Sequence, residues 1–443
     1  MRRRGCLTGD TGQGSVCLVV TLMVASVWVL VVSGCTSPEA APASREAYVV
    51  PRDQPVLPPR PRDVWPPRAI WVVRQVYDSP AQIADLMEEC YRAGLNTVLF
   101  QVRGNGTAYY RSSIEPFEYT YRKGAPGFDP LEVACQEAHR RGLALHAWVN
   151  VMPGWQGDHP PSDPHQLYNK HPEWFWYDQH GKRQPLRWYS SLNPCLPEVR
   201  HYLVRVFEEI VQRYPVDGLH LDYIRFPREE CPSGSDYPRD RRTLALYRSA
   251  TGKMPDQDVT AWTQWRTEQV TQLVRDIRRM TKRVRPGLKL TAACAPVLKR
   301  ARTVYCQDGL SWLRSDLVDL VFLMNYTADT KLYRARQTTW QRAAGSRPVA
   351  PGIAINIPAN RSDRANFDQL ELARAWGQGF ALFSNHALLG VSSQNRRRLA
   401  AILPLLKSMQ KRRCKQLAAS DLWSWSPSVL EGAGAREFAC KVN

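Results

Sequence analysis

The chain has 443 residues, of which 44% are hydrophobic and 23% are charged, and its formal net charge is +19. That length suits one large domain with a tether, or about two or three average domains, and the ordinary apolar content allows a sizeable core. The 60 Lys and Arg residues are scattered along the chain. This distribution is typical of a solvated basic surface or of a surface that attracts an anionic partner. No zinc-finger or RNP-type motif accompanies them, which argues against nucleic acid as a partner.

The N-terminus has the pattern of an export signal. Three Arg residues at 2–4 precede an apolar run at 16–32, and small residues at 33–34 precede Cys35. These features are typical of a signal peptide, and the Cys after them resembles the lipidated Cys of bacterial lipoproteins. We therefore expect a signal peptide over 1–34, lipidation of Cys35 and attachment to a membrane of the cell envelope, with an uncleaved anchor as the alternative. Because Thr36 follows Cys35, the outer membrane is the expected location in a Gram-negative cell.

The segment 35–67 is rich in Pro, Ala and Arg and predicts an extended tether. From residue 69, apolar strand patterns alternate with amphipathic helical patterns. The predicted strands are 69–73, 97–103, 144–149, 218–224, 289–295, 317–325, 349–355 and 379–384. The predicted helices are 80–93, 129–141, 197–213, 260–284, 309–315, 332–343, 363–376 and 394–411.

Eight strands that each precede a helix predict an α/β fold, a (β/α)8 TIM barrel over 68–411 with a C-terminal extension over 412–443. No G-x-G-x-x-G follows the first strand, which argues against a dinucleotide-binding fold, and no cofactor is expected. The connections after strand 3, at 151–196, and after strand 4, at 227–259, are long. Both leave the carboxyl ends of strands, where barrel enzymes place their active sites.

Polar and aromatic side chains follow or end several of these strands, and we expect them to line a substrate site. They are Arg103, Asn105, His146, Trp148, Asn150, His220, Tyr223, Arg225, Asn325 and Tyr326. His146 and His220 have an alternative interpretation as hydrogen-bonded core residues. Aromatic residues are also dense between 155 and 189, where they either bind sugar rings or form a local core under the loop.

Asp222 is the expected centre of the site. Strand alternation places it on the same side as His220, and a carboxylate at the mouth beside Arg103 and Arg225 is expected to stay ionised. It would then stabilise an oxocarbenium ion or orient a substrate group; the alternative is a structural ion pair. Asp217 precedes the strand, at the bottom of the barrel, and is expected to be structural.

Glycosidases usually need a second carboxylate. Asp329, just after strand 6, is the first candidate for this catalytic role, and Glu115, Glu229 and Glu230 compete with it.

The cysteines and histidines show no CxxC and no zinc-ligand spacing, so no metal is expected. Cys90 and Cys135 lie in helical patterns and are expected to be buried thiols. Cys294 with Cys306, and Cys414 with Cys440, are plausible disulfide pairs, although connectivity does not follow from sequence.

Several motifs between residues 68 and 330 occur together. They are FQVRGNGTAYY at 100–110, GFDPL at 127–131, LHAWVN at 145–150, HPEW at 171–174, LNP at 192–194, PEVR at 197–200 and VDGLHLDYIRFP at 216–227. With them the chain resembles the glycosyl hydrolase-like family 10, bacterial (β/α)8 barrels often made as lipoproteins. The resemblance implies glycoside hydrolysis, and characterised relatives are associated with peptidoglycan glycan strands stripped of peptides.

The strand 4 motif is also distantly similar to the D-G-x-D-x-D-x-E run of chitinase-type barrels. In that comparison Asp222 matches the Asp that orients the substrate acetamido group, while His220 and Ile224 replace the middle Asp and the acid Glu. The acid must then come from elsewhere. The sequence therefore favours a glycosidase acting on a cell-wall or related polysaccharide, with a non-catalytic glycan-binding lipoprotein as the alternative and a structural envelope lipoprotein as a third possibility. The oligomeric state does not follow from sequence.

Overall fold

The computed structural model describes residues 65–74, 77–118, 127–226, 231–355, 363–390 and 392–421. The predictions for the signal peptide, Cys35 and the tether lie outside these residues, as do those for Glu229, Glu230 and Cys440. Within the described ranges, no helix combines the length and the apolar character needed to cross a membrane.

The structure contains ten described strands. They are β1 (Arg68–Val72), β2 (Thr97–Arg103), β3 (Ala144–Asn150), β4 (Pro153–Gln156), β5 (Tyr189–Ser191), β6 (Gly218–Asp222), β7 (Lys289–Cys294), β8 (Leu320–Met324), β9 (Val349–Ala354) and β10 (Phe380–Phe383). Eight of them close a parallel barrel in the order β1-β10-β9-β8-β7-β6-β3-β2. The predicted (β/α)8 TIM barrel is therefore confirmed.

Helices alternate with the barrel strands and cover the outside of the sheet. They are α1 (Pro80–Arg92), α2 (Pro130–Arg140), α3 (Leu167–Lys170), α4 (Pro197–Arg213), α5 (Arg241–Thr251), α6 (Val259–Val284), α7 (Leu298–Thr303), α8 (Gly309–Arg314), α9 (Thr330–Ala344), α10 (Asp363–Trp376), α11 (Asn385–Leu388) and α12 (Ser393–Asp421). Most bounds fall within two residues of the prediction; the last helix continues past residue 411.

Local sequence explains where these helices begin. The Asp129 carboxylate accepts hydrogen bonds from the N–H groups of Leu131 and Glu132, and Pro130 occupies the first helical position of α2. A capping side chain supplies the acceptor that free N–H groups need, and Pro lacks the N–H that would have no partner there.

Two separate cores follow from the alternation of the strands. Leu145, Ala147 and Val149 of β3 face outward and pack with the helices in the larger core. Trp148 faces inward and belongs to a second cluster that fills the barrel with Trp71, Leu99, Leu320, Phe322, Ala69, Ala350 and Ala381. The barrel interior is thus packed, and a ligand site can form only above this filling, at the mouth.

The long connection after β3 folds over the mouth. Its strands β4 and β5 form an antiparallel hairpin, and the N–H of Val151 donates to the carbonyl of Asp222 at 2.8 Å. Phe175 and Trp176 of this loop are fully buried and belong to the larger core. This hairpin is therefore attached to the end of β6, beside the predicted centre of the site.

The cysteine predictions are only partly right. Cys90 and Cys135 are buried thiols, as expected, but Cys294 and Cys306 are also buried thiols, so the suggested disulfide between them is not formed. Cys294 packs instead against α8, where a Cβ added to Gly309 would lie 2.5 Å from its sulfur.

Candidate active site

His220 lies inside the barrel rather than in its mouth. The indole N–H of Trp71 donates to His220 Nε2 at 2.9 Å, so Nδ1 carries the proton and donates to the Thr291 hydroxyl at 2.9 Å. Burial lowers the pKa of His220 well below its usual range. Because both ring nitrogens are occupied, we revise the expectation that His220 binds substrate: it is a neutral residue of the barrel filling.

His146 lies lower still, beside the first residue of β6. A Cβ on Gly218 would lie 2.6 Å from its ring, so only glycine leaves room for the imidazole. Burial lowers the pKa of His146 to about 4, against the opposing charges of Asp217 and Asp319. The ring of His146 thus lies beside the residue that follows Asp217. Asp217 is at the bottom of the barrel, where it binds His139 and the N–H of Leu145. The predicted substrate role of His146 does not fit this position, which is far from the mouth.

Arg103, the last residue of β2, is fully buried. Its Nε and Nη2 bind the carboxylate of Glu115 at 2.9–3.0 Å, and Nη1 donates to the carbonyls of Asn150, Val151 and Pro153 at 2.5–3.1 Å. We therefore revise the expectation that Arg103 contacts substrate, since its guanidinium is held by protein groups. Glu115 is removed as a candidate for the second catalytic carboxylate for the same reason.

Asn105 is also fully buried. Its Oδ1 accepts a hydrogen bond from the Thr107 hydroxyl at 2.6 Å, and its Nδ2 has no hydrogen-bond partner among the described residues. The structure therefore places Asn105 in the wall behind the mouth.

Asp329 and Asn325 hold the start of α9. Asp329 is exposed and its Oδ1 accepts from the N–H groups of Lys331 and Leu332 at 2.8 and 3.1 Å, the geometry of a helix cap. Asn325 is fully buried and donates to the Tyr333 carbonyl at 2.8 Å. We revise the first prediction accordingly: Asp329 is a capping residue rather than the second catalytic carboxylate. Asn325 uses its amide N–H in the fold, and its Oδ1 has no hydrogen-bond partner among the described residues.

A buried polar network beside the mouth was missed by the sequence analysis. Arg74, just after β1, donates to Gln101 at 3.2 Å, to Glu118 at 3.1 Å and to Gln156 of the hairpin at 3.2 Å. A Cβ on Gly104 would lie 2.0 Å from this guanidinium. The only local signal was a charged residue directly after an apolar strand; its pairing with a residue 44 positions away is not visible in the sequence.

Asp222 ends β6, the fourth barrel strand, and is 7% exposed. Its Oδ1 accepts from the N–H of Tyr223 at 2.7 Å and lies 3.5 Å from Nη1 of Arg225. Asn150 is its neighbour in register on β3, and Asn150 Oδ1 has no hydrogen-bond partner among the described residues. The structure therefore brings Asp222, Tyr223, Arg225 and Asn150 together at the mouth.

The electrostatics of Asp222 differ from expectation. Burial raises the pKa of its carboxyl above the usual range, against the lowering effects of Arg225, the Tyr223 N–H and Trp148. Trp148 is 4% exposed, and its indole N–H has no hydrogen-bond partner of good geometry among the described residues. Trp148 therefore forms the floor under Asp222 rather than an open sugar platform, and the proton of Asp222 is held to a higher pH than on an exposed Asp.

Aromatic rings stand on two sides of this carboxylate. Tyr223 packs edge to face on Tyr189 of the hairpin, with ring centroids 5.1 Å apart. Tyr326, after β8, stacks on Phe383 of β10 at 5.4 Å. Burial raises the pKa of the Tyr326 phenol well above its usual range, and the charge of Asp222 adds to that shift. Tyr326 therefore lies near Asp222, and its substrate-binding role stays a prediction.

The arrangement is a carboxylate of restricted solvent access with one cation beside it and apolar ring faces around it. Such a group can stabilise positive charge that develops on a sugar ring, or hold an amide or hydroxyl of a substrate. In the part of the chain that the structure describes, no group of three or more His, Cys, Asp or Glu side chains is placed to hold a metal ion.

The chain matches the family model of glycosyl hydrolase-like 10 over residues 65–371. It belongs to the glycosyl hydrolase-like 10 family. The matched region contains the whole mouth described above, from Arg74 to Tyr326.

Two curated relatives are similar to about half of this chain. The chain is 30% identical over 264 residues to glycosyl hydrolase DigH of Escherichia coli strain K12, which covers 54% of this chain and 56% of that protein. It is 26% identical over 241 residues to glycosyl hydrolase YngK of Bacillus subtilis strain 168, which covers 50% of this chain and 43% of that protein. The matches thus span about half the length of these relatives.

Solved structures of glycoside hydrolases share the fold of this family member. The glycoside hydrolase domain of PgaB (BpsB) from Bordetella bronchiseptica aligns with a TM-score of 0.54 at 16% identity, over 78% of this chain and 98% of that structure. The β-galactosidase from the psychrophilic Marinomonas ef1 aligns with a TM-score of 0.54 at 12% identity, over 80% of this chain and 61% of that structure. At such low identity the likeness shows the barrel alone.

Proposed function

We propose that this protein is a glycoside hydrolase that cleaves a cell-wall or related polysaccharide, with peptide-free glycan strands of peptidoglycan as its substrate class. The observation that carries the proposal is the Asp222 carboxylate at the mouth of the barrel, beside Arg225 and between aromatic side chains. Family membership and the names of the relatives support the reaction class.

In this proposal Asp222 acts on the glycosidic bond as an ionised carboxylate that stabilises the oxocarbenium-like transition state. Arg225, 3.5 Å away, opposes the effect of burial and favours the ionised form. The aromatic rings exclude water, which strengthens the attraction between the carboxylate and the developing charge.

We further propose that the protein works at the cell envelope, held on a membrane by a lipid on Cys35. The support is the sequence pattern at 1–35. A Cys35→Ser variant is expected to move from the membrane fraction to the soluble fraction, whereas native soluble protein that retains Met1 would contradict the anchor.

The alternative function is glycan binding without cleavage. One observation favours it: Asp329, Glu115 and Glu118 are all engaged by protein groups, as a helix cap or in buried ion pairs. None of these three is free to act as the proton donor. Glu229 and Glu230, which lie outside the described residues, then become the carboxylates to substitute first.

The test is the release of new reducing ends from peptide-free peptidoglycan strands and from chitin oligomers. Wild-type protein is expected to release them, and Asp222→Asn is expected to lower kcat by about 10²- to 10³-fold, because a charge that acts mainly in the transition state is lost. Glu229→Gln and Glu230→Gln are measured beside it.

The outcomes separate the two functions. Cleavage by the wild type and equal cleavage by Asp222→Asn would show that the site is elsewhere. Binding of glycans by the wild type without any release of reducing ends would establish the non-catalytic alternative.

A further inference from the structure

Trp188 differs from the other aromatic residues of the loop after β3. Phe175 and Trp176 are fully buried and Trp155 is 6% exposed, whereas the Trp188 side chain is 38% exposed. The exposed part of this indole gains nothing from core packing, and it offers a rigid apolar face to a ligand at low entropic cost.

The backbone around Trp188 is held in place. Its carbonyl accepts from the N–H of Gly157 at 3.2 Å across the hairpin, and the carbonyl of Tyr189 accepts from Gln184 at 3.0 Å. The indole therefore projects from a fixed position rather than from a free loop tip.

A continuous line of contacts joins Trp188 to Asp222. The ring centroids of Trp188 and Tyr189 lie 5.4 Å apart, those of Tyr189 and Tyr223 lie 5.1 Å apart, and the N–H of Tyr223 donates to Asp222. The Tyr189 hydroxyl accepts from Asn150 at 3.3 Å, which fixes the middle ring. Trp188 is thus the exposed end of an aromatic path that begins at the reacting carboxylate.

We propose that Trp188 forms an outlying sugar subsite, in which the indole stacks on the apolar face of a pyranose two or more units along the chain from the one held over Asp222. This inference rests on the proposed function and deepens it. It predicts that the protein prefers glycan chains over disaccharides, because only a chain reaches both Asp222 and Trp188.

The test uses Trp188→Ala and Trp188→Phe, with Tyr91→Ala as the matched control. Tyr91 is 47% exposed but lies on α1, outside the proposed path. Binding is measured by calorimetry in the Asp222→Asn background, with peptide-free glycan strands and N-acetylglucosamine oligomers of increasing length. Kinetics are measured in proteins that keep the native Asp222.

Trp188→Ala is expected to weaken binding of long chains by about 3- to 10-fold, as expected for the loss of one stacked ring, and to leave the disaccharide unchanged. KM for long chains rises by a similar factor while kcat stays constant, because the contact is made equally before and in the transition state. Trp188→Phe recovers part of the loss, and Tyr91→Ala matches the parent protein.

Three results would overturn the subsite. They are unchanged binding and KM for long chains in folded Trp188→Ala, an equal loss for short and long chains, or a loss confined to kcat. If the wild type neither binds nor cleaves any glycan, the proposed function fails and the subsite fails with it. If the wild type cleaves glycan chains and Trp188→Ala binds and cleaves them equally well, only the subsite proposal fails.

Discussion

Two arginine–carboxylate pairs lie near the mouth, and they are built in opposite ways. Arg103 and Glu115 are completely buried, share several hydrogen bonds at 2.9–3.0 Å, and leave the guanidinium saturated by three further carbonyls. Arg225 and Asp222 meet at one 3.5 Å contact beside partly exposed aromatic rings. The first pair is closed to any ligand, and the second keeps oxygen atoms available for one.

Residue type and position on a strand are therefore not enough to assign a catalytic or structural role to a polar residue at a barrel mouth. A buried charge whose partners are complete stabilises one backbone arrangement, and removal of one partner leaves the other uncompensated. A charge with an incomplete set of partners tolerates substitution structurally and is available for chemistry.

The largest effect is expected for Arg103→Ala. The substitution leaves the Glu115 carboxylate buried without its cation and three carbonyls without a donor, so the free energy of unfolding should fall by about 3–5 kcal/mol. Urea denaturation measures it. The double variant Arg103→Met, Glu115→Gln should lose less than the sum of the single variants. If Arg103→Ala keeps its stability but no longer binds glycan, Arg103 contacts substrate and its structural role is wrong.

The second effect is on the pH dependence of stability through His146. Its folded pKa of about 4 lies below the ordinary value of 6.5, so the stability it contributes is present above pH 6.5 and is lost as the pH falls toward 4. The loss approaches about 3 kcal/mol once the histidine is protonated in both states. In His146→Gln this part of the acid-side slope should disappear, whereas the exposed His159→Gln should keep it. A slope equal to that of the wild type would show that His146 is not held neutral.

A smaller effect of opposite sign is expected for Asp222. Burial raises its folded pKa, so its contribution to stability is present below the ordinary pKa and is lost as the pH rises through the folded value. Asp222→Asn should therefore gain stability relative to the wild type on going from pH 3 to pH 7. If the ionised form is the active one, kcat rises through the same range; activity that falls there instead would make Asp222 the general acid.

The contrast also explains what the sequence could and could not predict. Alternating apolar patterns located all eight barrel strands, and Asp222 was singled out because it ends one of them. Alternation gives the side of a strand but not the depth within the barrel, so the roles of His146 and His220 stayed open between substrate binding and core packing. The partners of Arg103 and Arg74 come from distant segments, and such pairings need the folded chain.

Asp329 provides the smallest effect and a sharp check on the missing second carboxylate. As a helix cap, its replacement by Ala leaves the N–H groups of Lys331 and Leu332 without their acceptor and should cost about 1 kcal/mol of stability. Asp329→Asn should cost less, because an amide oxygen still accepts from those groups. Neither change should alter kcat, since the carboxylate is already used by the start of α9. A drop in kcat of a hundredfold or more in both variants, with melting temperatures unchanged, would show that Asp329 is the second catalytic carboxylate after all, and the open pair at Asp222 would then have a partner across the mouth.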